Sequence, residues 1–155
     1  MTRHDIEFDL TYSYHLEKMH STITGRIDRV ITLIIIVAGF SVFSSISGHM
    51  WFGGLIALLS VAQIVYQFSR ASGISEEQSR KYLALITDKA DLTDEELKSR
   101  FKELQNTDSN PWGVLKNPAY KRACIVLGLD DPTSKLTFTE SIFSILAGDL
   151  PRERK

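Results

Sequence analysis

The sequence lacks charge of either sign over a long internal stretch. From residue 30 to residue 69 there is no Lys, Arg, Asp or Glu. That excludes an ordinary surface-exposed segment there, since such segments carry charge. The chain also lacks a cysteine pair. Cys124 stands alone, so no internal disulfide can form, which fits a reducing compartment. It lacks a charge excess as well. With 18 basic and 19 acidic residues the formal net charge is -1, so no global attraction to duplex nucleic acid is expected.

Motifs of catalysis are missing too. There is no phosphate-binding glycine loop, no HExxH and no serine elbow. His15 and His20 are five apart, which does not stack them on one helix face, so no metal site is expected. The acidic groups at Glu76-Glu77 and Asp94-Glu95-Glu96 read as helix starts that complement the macrodipole. The chain is expected to be no enzyme and to hold no cofactor. There is no internal repeat and no low-complexity tract.

What is present is a membrane pattern. The uncharged stretch is about twice the roughly 20 residues that cross a bilayer as one helix. It breaks at Ser47-Gly48-His49, giving candidate spans at 30–46 and 50–68. A turn this short makes the two helices antiparallel neighbours. Helices also satisfy their backbone groups internally, as hydrocarbon requires. A signal peptide fits poorly, because the apolar run starts late and a second span follows at once. A buried soluble hairpin is the other reading, but Ile34-Ile35-Ile36-Val37 and Leu55-Ile56-Ala57-Leu58-Leu59 are apolar on all faces.

Lys18, Arg26 and Arg29 precede the first span, and Arg70, Arg80 and Lys81 follow the second. The turn between has no Lys or Arg, so both termini are expected in the cytoplasm. Arg80 and Lys81 are expected to meet anionic headgroups. Small residues recur at four-residue spacing: Ser41 and Ser45, Ser44 and Gly48, Gly53 and Ala57. Such faces let helices approach closely, within the hairpin or between copies.

The fold class expected is therefore an all-α membrane protein. A cytoplasmic amphipathic segment (1–29) leads into a two-helix transmembrane hairpin (30–69), followed by a small cytoplasmic helical domain (70–155). Leu16, Met19, Ile23 and Ile27 are helically spaced, whereas Ile6, Phe8, Leu10, Tyr12 and Tyr14 alternate, leaving helix or extended arm open there. Ser75-Glu76-Glu77-Gln78, Thr93-Asp94-Glu95-Glu96 and Thr137-Phe138-Thr139-Glu140 read as capping boxes. Asn110-Pro111 and Asn117-Pro118 each read as an N-cap followed by the first helical residue. Gly128 and Gly148 read as helix stops, and the tail 152–155 as frayed. A soluble part of about 80 residues is small for a stable core, which favours a homo-oligomer.

One window carries ligand chemistry. Between Asp108 and Asp130 there is no acid, while Lys116, Lys121 and Arg122 are present with Trp112 and Tyr120. Helix N-termini and cations attract phosphate, and aromatic faces stack on bases. Lys116, Asn117, Lys121, Arg122, Trp112 and Tyr120 are the candidate ligand-binding residues. A second reading puts Trp112 and Tyr120 in the core and the charges on a solvated face.

The runs Tyr12 to His20, Ser79-Arg80-Lys81-Tyr82-Leu83 and Asn117-Pro118-Ala119-Tyr120-Lys121-Arg122-Ala123, followed by Leu127-Gly128, resemble the SLATT-type two-transmembrane effectors of bacterial defence. The chain is also similar to the small membrane effectors of type III CRISPR systems. The resemblance implies an antiviral effector in the lipid bilayer of a bacterial inner membrane that senses a cyclic oligonucleotide, with cyclic tetra-adenylate favoured; the small soluble part, the small-residue faces and a symmetric ligand together favour a tetramer. Two alternatives are a holin-like or toxin-like pore former without a ligand, and a membrane-anchored scaffold for a protein partner.

Overall fold

The computed structural model describes residues 2–43 and 49–152. The order is α1 (Arg3–Phe43), α2 (His49–Tyr66), α3 (Phe68–Asp88), α4 (Asp94–Gln105), α5 (Lys116–Leu127) and α6 (Phe138–Leu146). Single 3-10 turns lie at Lys89–Asp91 and Gly113–Leu115. Among the described residues there is no strand.

Helix α1 has 41 residues and is therefore about 60 Å long. It absorbs the alternating stretch near the N-terminus. Residues two apart on a helix differ by about 200°, so strict alternation also describes a helix packed on two opposite faces. One face carries Ile6, Leu10 and Tyr14 into a cluster with Tyr82, Leu85, Leu97 and Phe101 of α3 and α4. The other turns Phe8 edge-on to Tyr120 (5.1 Å between ring centres). Tyr12, Leu16, Met19 and Ile23 pack with Leu115, Ala119 and Ala147 in a second cluster. The N-terminal part of α1 is thus the spine that α3 and α4 cover on one side and α5 and α6 on the other.

Beyond Arg29 the same helix changes character. Val30, Leu33, Ile36, Val37 and Phe40 are exposed, as are Leu58, Val61, Ile64 and Val65 of α2. Gln63 Nε2 of α2 donates to Thr32 Oγ1 of α1 (2.9 Å), bringing the end of α2 beside the middle of α1. One helical stretch, starting at Trp51, is long and apolar enough to cross a membrane, and none of its most apolar window is buried. The expected turn at Ser47-Gly48, together with Ser44, Ser45 and tail residues 153–155, lies outside the described residues. Gly53 and Ala57 are exposed, and a Cβ on Gly53 would meet nothing within 4 Å among the described residues, so none of those packs on this small pair.

Helix α3 follows α2 through a single left-handed residue, Gln67 (φ 45). Backbone bonds continue across it, from Gln67 N to Gln63 O and from Ala71 N to Gln67 O. Because the chain is already helical at Phe68, Ser75-Glu76-Glu77-Gln78 is not the expected capping box. Ser75 and Gln78 are buried and bond to other segments instead. The Thr93 and Thr137 boxes do form, each with its N3 Glu and Thr bonding reciprocally. Gly128 (φ 68) and Gly148 (φ 78) end α5 and α6 in the left-handed region that glycine enters at little cost.

The two Asn-Pro pairs differ from expectation. Asn110-Pro111 starts no α-helix; the chain stays extended to Trp112 and makes only the 3-10 turn Gly113–Leu115. Leu115 is fully buried in the core there. Helix α5 then begins at Lys116, with Leu115 as N-cap, so Asn117 and Pro118 lie inside its first turn. The missing N–H of Pro118 costs nothing, because the first four N–H groups of a helix have no intrahelical acceptor.

Candidate ligand cleft

The six candidate residues do not converge on one point. Lys116 is exposed at the start of α5. Asn117 Nδ2 donates to Glu140 Oε2 (3.3 Å), bracing the α6 capping box. Trp112 lies in the second core cluster, edge-on to His20 (5.6 Å) and Phe143 (6.0 Å). Tyr120 packs on Phe8. Trp112 thus packs in the core cluster, whereas Tyr120 is half-buried and borders a groove.

The acid-free window is acid-free only along the chain. Lys121 is buried, and its Nζ donates to Asp131 Oδ2 (2.5 Å), ten residues on and past the Gly128 turn. Burial works to raise the Asp131 carboxyl, but bonds from Lys121 and Thr133 together outweigh it and hold the group below its ordinary value. Arg122 forms a two-pronged pair with Asp149, through Nε (2.9 Å) and Nη2. His15 sits beside the same carboxylate, and burial pushes its imidazole below the usual range although Asp149 pulls the other way.

A cleft of about 760 Å³ lies between the second half of α5 and the segments at 128–136 and 150–152. Lys121, Lys135 and Arg152 bring positive charge to it, and Asp130 and Asp131 oppose them. Tyr120 lines an adjoining groove of about 240 Å³ with His4, Phe8 and Asp9 of α1. Cys124, Leu129 and Asp130 border both. Burial raises the Cys124 thiol, first of all, and nearby Asp131 adds to it, so the group stays a packed thiol rather than a thiolate. Of the candidates, only Lys121 lines the main cleft. Lys135 and Arg152 were missed because they lie outside the acid-free window.

A buried polar chain was also invisible in the sequence. His20 Nδ1 bonds Ser75 Oγ (2.8 Å), Ser75 Oγ bonds Ser109 Oγ (2.8 Å), and Ser109 Oγ donates to Glu17 Oε2 (2.7 Å). Next to it Tyr82 OH (2.5 Å) and Gln78 Nε2 (2.9 Å) both donate to Asp108 Oδ1. Burial raises Glu17, with the bonds from Ser109 and Ser75 opposing, and burial lowers His20. The groups resemble a nucleophile, base and acid, yet Ser75 has no solvent exposure, so no substrate reaches its hydroxyl. The chain fastens α1 to α3 and to the loop at 106–109. No group of three or more metal-ligating side chains occurs among the described residues. Comparison with known protein families, curated proteins and solved structures finds no match.

Proposed function

We propose that this chain is a two-span membrane effector of the SLATT-like kind, not an enzyme. In this reading α2 and the apolar half of α1 form a transmembrane hairpin, with both termini in the cytoplasm of a bacterial cell. The cytoplasmic domain binds a cyclic oligonucleotide, with cyclic tetra-adenylate favoured, and changes the packing of the hairpins so that the inner membrane leaks.

The observation that carries this reading is the continuity of α1. One uninterrupted helix joins the exposed apolar stretch after Val30 to the segment held by α3 and α5. A displacement of α5 has no flexible joint in which to dissipate before it reaches the apolar half. The ligand would enter the cleft of Lys121, Lys135 and Arg152 and compete with Asp131 for Lys121. A ligand shifts such an equilibrium only by its differential affinity for the two states. Assembly is supported by apolar surface that no described residue of the chain covers. On α6, Phe138, Ile142, Ile145 and Leu146 form an outward stripe, and Gly53 and Ala57 of α2 are open. A tetramer would bury these faces and place a symmetric ligand against every subunit.

The test uses the full chain in lipid nanodiscs. Calorimetric titration with cyclic oligonucleotides should give saturable binding, and dye-filled vesicles carrying the protein should leak only with ligand. Mass measurement should give a tetramer. Ligand-independent leakage without nucleotide binding would instead establish the pore-former reading. That alternative is favoured by one observation: Lys121 and Arg122 already have carboxylate partners.

A further inference from the structure

A second cleft, of about 280 Å³, lies between α1 and α3 just below the apolar stretch. Lys18, Ser21, Thr22, Gly25, Arg26 and Arg29 of α1 share one helical face and form one wall. Ser72 and Glu76 of α3 form the other. At Gly25 the two helices touch. A Cβ there would lie 2.8 Å from Ser72 Oγ, which itself donates to Ser21 O (2.9 Å).

The charges of this cleft are unbalanced. Three cations face one carboxylate, Glu76, and that carboxylate already accepts from Arg80 (2.6 Å). The side chains of Lys18 and Arg29 have no bonding partner among the described residues. Arg26 uses Nη1 on the carbonyls of Ile145 and Leu146 at the end of α6, which leaves its other nitrogens free to donate. By contrast Arg80 and Lys81, the pair expected to meet headgroups, are bonded to Glu76 and Glu77 (2.6 and 2.7 Å). Like charges gathered this way repel until an anion enters. Arg26 lies about 6 Å along the axis below Val30, within the depth of a headgroup layer.

We propose that this cleft binds the phosphate of an anionic lipid headgroup in the leaflet next to the soluble domain. Arg26 and Arg29 would donate to the phosphate oxygens and Lys18 would supply a point charge from below. Thr22 adds a hydroxyl. Because Arg26 also holds the end of α6, an occupied cleft would tie that helix to the membrane surface. The proposal rests on the membrane reading above.

The test uses the full chain, with and without the triple substitution Lys18→Gln, Arg26→Gln and Arg29→Gln. Arg100→Gln with Lys102→Gln on α4 is the control. Each protein is reconstituted in phosphatidylcholine vesicles containing phosphatidic acid, checked for alkaline-extraction resistance and helix content, then solubilised for native mass spectrometry. The expected result is retained phosphatidic acid on the wild type and control, falling by about tenfold or more in the triple variant. Equal retention in an inserted, helical triple variant would overturn the site and leave the membrane reading standing. Free glycerol phosphate displacing the lipid from the wild type at comparable concentration would show a soluble phosphate site and overturn the lipid assignment. Complete extraction of the wild type by alkali would overturn the membrane reading and this proposal with it.

Discussion

Lys121 and Asp131 are bonded nitrogen to oxygen at 2.5 Å across the turn made by Gly128, with the lysine buried. Breaking the pair from one side leaves a buried charge uncompensated. Asp131→Ala should therefore destabilise the helical fold around α5 by about 3 kcal/mol, read from urea unfolding. Lys121→Met with Asp131→Leu should recover most of that loss. The carboxyl is held below its usual value, so its contribution is full above pH of about 4 and is lost as pH falls through the lowered value. Equal stability of Asp131→Ala and wild type at pH 7 would mean the pair adds nothing.

The same pair bears on ligand affinity. If the cleft takes an anionic ligand, Asp131 competes with it. Asp131→Asn should then tighten nucleotide binding, while Lys135→Gln and Arg152→Gln, both exposed, should weaken it without a change in melting temperature. Each lost charge-assisted bond should cost roughly 1.5–3 kcal/mol. Calorimetry on the full chain decides it, and weaker binding by Asp131→Asn would place the ligand elsewhere.

Histidine burial should set the acid response. His15 and His20 are both lowered from 6.5 by burial, so the unfolded chain takes up protons first as pH falls. Stability should drop as pH decreases from 6.5 toward the lowered values. Glu17 is raised above 4.5, so its effect is opposite: the folded state holds the proton longer, and stability from this group falls as pH rises past 4.5. Replacing both histidines removes their contribution and leaves that of Glu17 in place. Thermal melts of His15→Gln with His20→Gln should lose less stability between pH 7 and 5.5 than the wild type, and parallel curves would count against the assignment.

Close contact at Gly25 gives a test that reads two residues at once. In a Ser72→Ala background, where the interfering Oγ is gone, Gly25→Ala should stabilise by about 1 kcal/mol through helix propensity. In the wild-type background the new Cβ must displace Ser72 from its bond to Ser21 O, and the gain should vanish or reverse. A double-mutant cycle measured by chemical unfolding gives the coupling, and additivity within error would mean that α1 and α3 are not in contact there.

Legibility followed range. The boxes at Thr93 and Thr137 and the stop at Gly128 form as read, since each closes within three to five residues. Ser75 failed as a cap for a reason no local window contains: α3 already runs in from Gln67. Alternation from Ile6 to Tyr14 was ambiguous because period two fits a strand and also a helix buried on two sides; only the positions of α3 and α5 resolve it.

The uncharged run after Arg29 and the helical character of most segments follow from the sequence by itself, though not the helix over 6–14. Hydropathy, propensity and capping are properties of neighbours along the chain. Ion-pair partners are not. Lys121 and Arg122 stand in a window free of acids, yet the turn at Gly128 returns Asp131 to one and the end of α6 returns Asp149 to the other. Lys18 and Arg29, which look like ordinary flanking charges in the sequence, have no carboxylate partner among the described residues, because α3 turns Ser72 toward them and its one acid there, Glu76, is bonded to Arg80. Which cations stay available to a ligand is decided by the path of the folded chain, because a charge is neutralised by whatever lies within a few ångströms of it in space.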